Sequence, residues 1–140
     1  MAQLTADKGR IFKAGIEPVE TKIGVLNAVK VYRGSAVGLS SVSGRQLVAG
    51  DTFLGFAEEY IDNSGGSAGD KKVVIRQKGI VKVAITGASS STAMGTAVYA
   101  SDGDTFTLTA TSNSAVGKLV EHVTSTTGYV YFEGAGVRSI

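Results

Sequence analysis

Residues 93–123, AMGTAVYASDGDTFTLTATSNSAVGKLVEHV, form the stretch of sequence that decides the fold. Apolar and small polar residues alternate there in three short runs, at residues 98–99, 105–109 and 116–123. Asp102-Gly103-Asp104 and Ser112-Asn113-Ser114 separate the runs with residues that favour tight turns. Alternation with a period of two between such turns predicts a three-stranded antiparallel meander with one face exposed to water.

A similar pattern extends over the rest of the chain from residue 28 onward. The strongest strand signals lie at residues 71–76 and 79–86, and Val81 and Val83 flank Lys82 in the second of these segments. Shorter strands are predicted at residues 27–33, 36–39, 52–59 and 129–132. The sequence therefore predicts an all-β domain over residues 28–140, a small barrel or sandwich of short antiparallel strands.

Composition agrees with this fold class and excludes several kinds of site. The 140 residues include 19 glycines, one proline and no cysteine. Many glycines with little proline suit a β protein with tight turns, and the length is sufficient for one domain with its own core. Without cysteine there is no disulfide, no thiolate metal ligand and no thiol nucleophile. No cofactor is expected.

Residues 1–27 differ from this pattern and are predicted to form an extended N-terminal arm. Single apolar residues lie among charges with neither helical nor strand periodicity, and Pro18 disfavours a helix. The apolar side chains should bury either against the parent domain or against a neighbouring chain. The excess of basic residues at this end is either ordinary solvated surface or a means of docking on an acidic partner. The candidate contact residues are Lys8, Arg10, Ile11, Phe12, Lys13, Ile16 and Val19.

The chain also resembles itself. Residues 53–58 (FLGFAE) are similar to residues 115–120 (AVGKLV), and Val31-Tyr32 is similar to Val98-Tyr99. Either the domain consists of two related halves that curl into a closed or nearly closed barrel, or two β meanders resemble each other by chance. In the first case, the glycine at the third position of each six-residue segment should lie at a bend or a close backbone approach.

No group of residues is arranged for catalysis. His122 is the only histidine, and it lies near the end of a predicted strand, where a polar-face or interface role is expected. Residues 65–69 (GGSAG) match Gly-x-Ser-x-Gly, but they lie in a predicted loop between two strands and not in the strand-to-helix turn of a nucleophile elbow. Asp102 and Asp104 lack the further acidic residues of a calcium loop, so a tight turn is expected there. The protein is therefore predicted not to be an enzyme.

Nucleic acid and membranes are not expected as partners. The net charge is only +2, and no basic strip runs beside Tyr60, Tyr99, Tyr129 and Tyr131. These tyrosines are expected in the core or in cross-strand pairs, with an aromatic platform for sugar as the alternative. No apolar run approaches the roughly 18 residues of a spanning helix, and early charges interrupt any secretory signal.

The order of several segments resembles the small capsid decoration (cement) proteins of tailed bacteriophages. The resemblance covers residues 28–140 and depends on glycine placement and strand order. It is carried by Leu54-Gly55-Phe56-Ala57, Val74-Ile75, residues 79–86, Gly95-Thr96-Ala97-Val98-Tyr99, residues 105–109 and Ala115-Val116-Gly117-Lys118-Leu119-Val120. The family implies a compact, mainly β domain on the outer face of the mature head, bound between major capsid proteins.

The resemblance further implies a structural virion protein that is made in the host cytoplasm and stabilises the capsid against internal DNA pressure. A homotrimer is expected, with a dimer as the alternative. Many members of the family use an N-terminal arm to reach the capsid or sister chains, which would give the contact residues of this arm that role. Other functions also fit the sequence: another phage structural component, such as a tail or head-completion protein, or a β-type carbohydrate- or receptor-binding module.

Overall fold

The computed structural model describes residues 3–15, 17 and 19–138, and within them the protein is all β, with no helix. This confirms the predicted fold class. The described strands are β1 (Val19–Gly24), β2 (Lys30–Val31), β3 (Ala36–Ser40), β4 (Ser43–Gln46), β5 (Thr52–Ala57), β6 (Ile61–Asp62), β7 (Lys72–Thr86), β8 (Ala97–Asp102), β9 (Thr105–Thr107), β10 (Ser114–His122) and β11 (Thr127–Glu133).

β7 is the strand around which the others are arranged. It combines two strands that the sequence predicted separately, because Gln77 and Lys78 continue the strand instead of turning. Buried and more exposed side chains alternate along all 15 residues. Its first half belongs to one ring of strands and its second half to another.

The C-terminal ring is a closed five-stranded barrel formed by the second half of β7 with β11, β10, β8 and β9. The ring closes where β9 meets β7 in a parallel pairing, with Ile85 opposite Phe106. All three strands predicted from residues 93–123 are present, but the predicted meander order is wrong. β10 pairs with β8 rather than with β9, because the two sides of β9 are taken by β8 and β7.

The N-terminal ring consists of β1, β4, β3, β5 and the first half of β7. Its antiparallel neighbours are β1 and β7, β7 and β5, β5 and β3, and β3 and β4. A single parallel bridge between Val25, which follows β1, and Gly44 of β4 closes it. The Leu26 N–H also donates a 2.9 Å hydrogen bond to the Gly44 carbonyl. β2 and β6 form a separate two-stranded ribbon.

The two rings have the same topology and the same strand directions. In chain order, the N-terminal ring uses β1, β3, β4, β5 and the first half of β7, and the C-terminal ring uses the second half of β7, β8, β9, β10 and β11. In both, the first strand runs parallel to the third and antiparallel to the fifth. This confirms the expectation of two related halves at the level of topology, whereas the expectation that both halves curl into one barrel is wrong, because each half forms its own ring. The predicted equivalence of Val31-Tyr32 and Val98-Tyr99 is wrong. Val98-Tyr99 lies in β8, and the strand in the same position of the N-terminal ring is β3, which begins after Val31-Tyr32.

Gly34 and Gly95 mark the equivalence of the rings at the residue level. They precede β3 and β8, and their φ angles are 92° and 91°, a left-handed conformation that favours glycine. Each donates its N–H to the fourth strand of its own ring, Gly34 to the Ala57 carbonyl at 2.9 Å and Gly95 to the Leu119 carbonyl at 2.7 Å. The rings therefore match in hydrogen bonding as well as in strand order.

Gly55 and Gly117 form a second equivalent pair. Each directly follows a β bulge in the fourth strand of its ring. A Cβ atom at either position would collide with a carbonyl of the fifth strand, that of Arg76 for Gly55 and that of Tyr131 for Gly117. The predicted close backbone approach is confirmed for both glycines.

Each ring has its own apolar core, and that of the C-terminal ring contains a cluster of phenylalanines to which β5 of the N-terminal ring contributes two. Val37 and Ile75 are buried in the core of the N-terminal ring, together with Val31 of the β2–β6 ribbon, and Val83 and Val98 are buried in the core of the C-terminal ring. Each of the five phenylalanines of the chain contacts at least one other, with the ring centroids of the contacting pairs 4.9 to 6.3 Å apart. They are Phe12, Phe53, Phe56, Phe106 and Phe132.

The segment predicted as an extended arm lies against the rings in this structure. Residues 19–24 form β1, so the predicted arm includes the first strand of the N-terminal ring. Upstream of it, Phe12 forms a β bridge with Val81 of β7. Two hydrogen bonds flank the bridge, from the Lys13 N–H to the Ile80 carbonyl at 2.8 Å and from the Lys82 N–H to the Ile11 carbonyl at 2.9 Å.

Candidate functional site

Arg10, one of the predicted contact residues, is held inside the molecule. Only 5% of its side chain is exposed, and Nη2 donates to Asp104 Oδ1 at 2.7 Å. Nε donates to the Gly34 carbonyl at 2.7 Å, and the guanidinium lies 5.6 and 5.4 Å from the ring centroids of Phe56 and Phe106. Burial lowers the pKa of the Arg10 guanidinium from its ordinary value, and the hydrogen bond and charge of Asp104 oppose this shift.

Lys8 and Lys13 also bind acidic residues of their own chain. Lys8 Nζ lies 2.9 Å from Asp104 Oδ1, and Lys13 Nζ forms an ion pair with Glu121. Lys13 Nζ also lies 4.9 Å from the ring centroid of Tyr129. Nearly half of each lysine side chain remains exposed, so each ion pair contributes about 1 kcal/mol or less to stability.

Phe12 belongs to the phenylalanine cluster. Its ring centroid lies 6.3 Å from that of Phe56 and 6.1 Å from that of Phe132. The guanidinium of Arg76 covers the ring at 4.0 Å from its centroid. The sequence left open whether the apolar residues of the arm are buried against the parent domain or against a neighbouring chain. Phe12 is partly buried, and it packs against the parent domain.

Ile11 and Val19 keep much of their apolar surface exposed, 56% and 38% respectively. Ile11 follows Arg10 on the segment that pairs with the second half of β7, and Val19 begins β1 on the same side of that strand. Ile16 lies outside the described residues. Among the described members of the predicted contact set, Ile11 and Val19 are thus the apolar residues that a partner can reach.

Asp104 binds the N-terminal segment, a role that the sequence did not predict. It accepts hydrogen bonds from both Lys8 and Arg10, whereas the sequence assigned it to a turn only. That turn is confirmed, since Asp102 Oδ1 accepts from the Asp104 N–H at 2.9 Å. No local signal could reveal the second role, because Arg10 and Asp104 lie 94 positions apart.

Glu58, which the sequence also did not single out, lies beside the guanidinium of Arg76. Its Oε2 lies 3.4 Å from Arg76 Nη2. Burial raises the pKa of Glu58, and a hydrogen bond with Glu20 raises it further, while the charge of Arg76 lowers it. Glu58 and Arg76 line a polar cavity together with Arg10 and Phe12.

The remaining candidates have structural contacts. His122 Nε2 lies 2.7 Å from the Thr92 carbonyl oxygen. Tyr60 stacks against Tyr32 with centroids 5.0 Å apart, and the Tyr131 hydroxyl donates to Glu133 at 2.9 Å. Within residues 3–15, 17 and 19–138, no three histidine or acidic side chains lie together in a group that could hold a metal ion.

Comparisons with known proteins identify no relative. The chain matches no protein-family profile, no curated protein and no solved structure at a significant level. In the described part of the chain, no helix has the length and apolar character needed to cross a membrane.

Proposed function

We propose that this protein is a capsid decoration protein of a tailed bacteriophage, which binds the outer surface of the head between major capsid proteins and stabilises the mature shell. The observation that carries the proposal is the exposure of Ile11 and Val19 on a segment that is otherwise held tightly by the protein's own strands. A contiguous exposed apolar patch is typical of a contact site for another protein, and in this proposal Ile11 and Val19 contribute to such a patch. The resemblance in strand order and glycine placement supports the same function.

The physical requirements of this function fit the molecule. A decoration protein needs a rigid domain and contact residues, and it needs no reaction chemistry or cofactor. The buried cores of the two rings supply rigidity, and Ile11 and Val19 supply apolar contacts. A homotrimer, or a dimer, would link several such contacts and raise the overall affinity by about 10²–10⁴ through multivalency.

Reconstitution on phage heads tests the proposal. Heads from a phage that lacks this protein are mixed with the purified chain, and bound copies and the temperature of head rupture are measured. The wild-type chain should bind and raise that temperature. Ile11→Asp should bind more weakly, because it places a charge in the contact, whereas Val123→Asp, at a residue with a similar 43% exposure, should bind normally. Failure of the wild-type chain to bind heads would contradict the proposal.

Two other outcomes would favour the alternative functions. Assembly of the isolated chain into rings or tubes would indicate a tail or head-completion protein. Saturable binding of a glycan that is lost in Tyr60→Ala would indicate a carbohydrate-binding module, because Tyr60 is 42% exposed and stacked on Tyr32.

A further inference from the structure

The equivalence of the two rings identifies one strand edge that is covered in the C-terminal ring and open in the N-terminal ring. In the C-terminal ring, the first strand is the second half of β7, and residues 80–82 of its outer edge pair with residues 11–13. Ile80, Val81 and Lys82 face Tyr131, Val130 and Tyr129 on the fifth strand. The main-chain groups that bind residues 11–13 are thus those that point away from β11.

The corresponding residues of the N-terminal ring are Glu20, Thr21 and Lys22. They face Arg76, Ile75 and Val74, which occupy the same places in the fifth strand as Tyr131, Val130 and Tyr129. The position of Lys22 therefore corresponds to that of Lys82. By this register, the Lys22 N–H and the Glu20 carbonyl point away from β7, as the Lys82 N–H and the Ile80 carbonyl do.

Burial agrees with an open edge at residues 20–22. Val81 is fully buried, and residues 11–13 (the N-terminal segment) cover its strand edge. Its counterpart Thr21 is exposed, as are Glu20 and Lys22. In the described part of the chain, β7 is the one strand that pairs with β1. An exposed edge with free N–H and C=O groups is a template for the addition of another strand.

The residue beside this edge indicates the chemistry of the added strand. In the C-terminal ring, the turn before β9 ends at Asp104, which binds Lys8 and Arg10 of the covering segment. The turn before β4 ends instead at Val42, which is 82% exposed. Residues 8–13 of a second copy would place basic side chains against Val42. A segment with an apolar side chain opposite Val42 is therefore a better match for this edge than a basic segment.

We propose that the outer edge of β1 at residues 20–22 binds an extended segment of the capsid subunit as an added strand, and that an apolar side chain of this segment packs against Val42. Main-chain hydrogen bonds to Glu20 and Lys22 would supply affinity, and Val42 would supply specificity. The identity of the partner rests on the proposed function, whereas the open edge rests on the register of the strands.

The test compares Lys22→Pro with Lys22→Ala on heads that lack this protein. Proline removes the N–H that points away from β7 and spares the ladder with β7, whereas alanine removes the side chain and keeps the N–H. Lys22→Ala should bind like the wild type, and Lys22→Pro should bind about tenfold more weakly or worse. Val42→Asp, at an exposed turn residue, should weaken binding without altering the fold, and it serves if Lys22→Pro does not fold.

Hydrogen exchange on the free chain tests the edge without any partner. The Lys22 amide should exchange much faster than the Lys82 amide and become protected on heads. Equal protection of the two amides in the free chain, together with sedimentation as a dimer that Lys22→Pro dissociates, would assign the edge to a second copy and overturn the proposal. If the wild type binds heads and both Lys22→Pro and Val42→Asp bind equally well, the decoration function stands and this inference is wrong. If the wild type does not bind heads, the proposed decoration function and the capsid subunit as partner are both wrong.

Discussion

Single side chains decide whether the N-terminal segment belongs to the body of the molecule or to a partner. The sequence predicts that Phe12 is buried, and it leaves Arg10 as either a solvated residue or a contact for an acidic partner. It does not show that Asp104, Phe56 and Phe132 supply these contacts. Such contacts are made by the tertiary arrangement of distant strands, so no local spacing encodes them.

Glu58 gives the clearest prediction at the scale of one residue. Its pKa is raised above the ordinary 4.5, so the folded state binds this proton more tightly than the unfolded state does. The resulting contribution to stability is fully present below pH 4.5 and is lost as the pH rises through the raised pKa. Glu58→Gln should remove this dependence, and at pH 7 the variant should be at least as stable as the wild type.

Urea unfolding of both proteins between pH 4 and pH 8 measures this effect. The advantage of Glu58→Gln should shrink as the pH falls. Loss of the ion pair with Arg76 opposes the gain, but a partly exposed pair at 3.4 Å contributes at most about 1 kcal/mol. Glu20→Gln should also weaken the pH dependence of stability, since Glu20 helps to raise the pKa of Glu58. A difference between variant and wild type that is constant over the pH range would contradict the prediction.

Among the secondary-structure elements, strands are predicted from sequence much better than their partners. The alternation of Val81, Val83 and Ile85 identifies part of β7, because each strand shows its own buried face. The parallel pairing of β9 with β7 leaves no such mark, since it joins segments about twenty residues apart in the chain. The related halves were visible at Gly55 and Gly117 because the same close backbone approach requires glycine in both rings.

Gly117→Ala tests the importance of that approach for the C-terminal ring. The added Cβ would collide with the Tyr131 carbonyl, which is main chain of a paired strand and cannot turn aside as a side chain could. The variant should lose at least about 3 kcal/mol of unfolding free energy, measured by chemical denaturation. Gly65→Ala is the matched control, because a Cβ there meets nothing within 4 Å and the change should stay within about 0.5 kcal/mol. Equal stability of the two variants would show that β10 and β11 can separate at no cost.

For the molecule as a whole, the phenylalanine cluster makes the two rings and the N-terminal segment one unit. Phe53 and Phe56 come from β5 of the N-terminal ring, yet they pack in the core of the C-terminal ring. Phe12 of the N-terminal segment packs against the same core. Because these side chains share one buried site, loss of any of the three parts exposes apolar surface of the other two.

Deletion of residues 1–15 measures how far the N-terminal segment stabilises the folded protein. The deletion removes Phe12 from the cluster and the guanidinium of Arg10 from buried Phe56 and Phe106. These losses should lower the unfolding free energy by about 3–5 kcal/mol, a large share of the 5–15 kcal/mol that is typical of a domain. Thermal unfolding followed by circular dichroism should show a clearly lower midpoint than that of the full chain.

Ile11→Ser in the full chain is the control for this deletion. Ile11 lies in the same segment but is 56% exposed, so the substitution should change the unfolding free energy by no more than about 0.5 kcal/mol. If the deleted chain and the full chain unfold at the same temperature, the contacts of Phe12 and Arg10 contribute nothing to stability. The N-terminal segment would then be free to leave β7, and its buried residues as well as Ile11 and Val19 would be available to a partner.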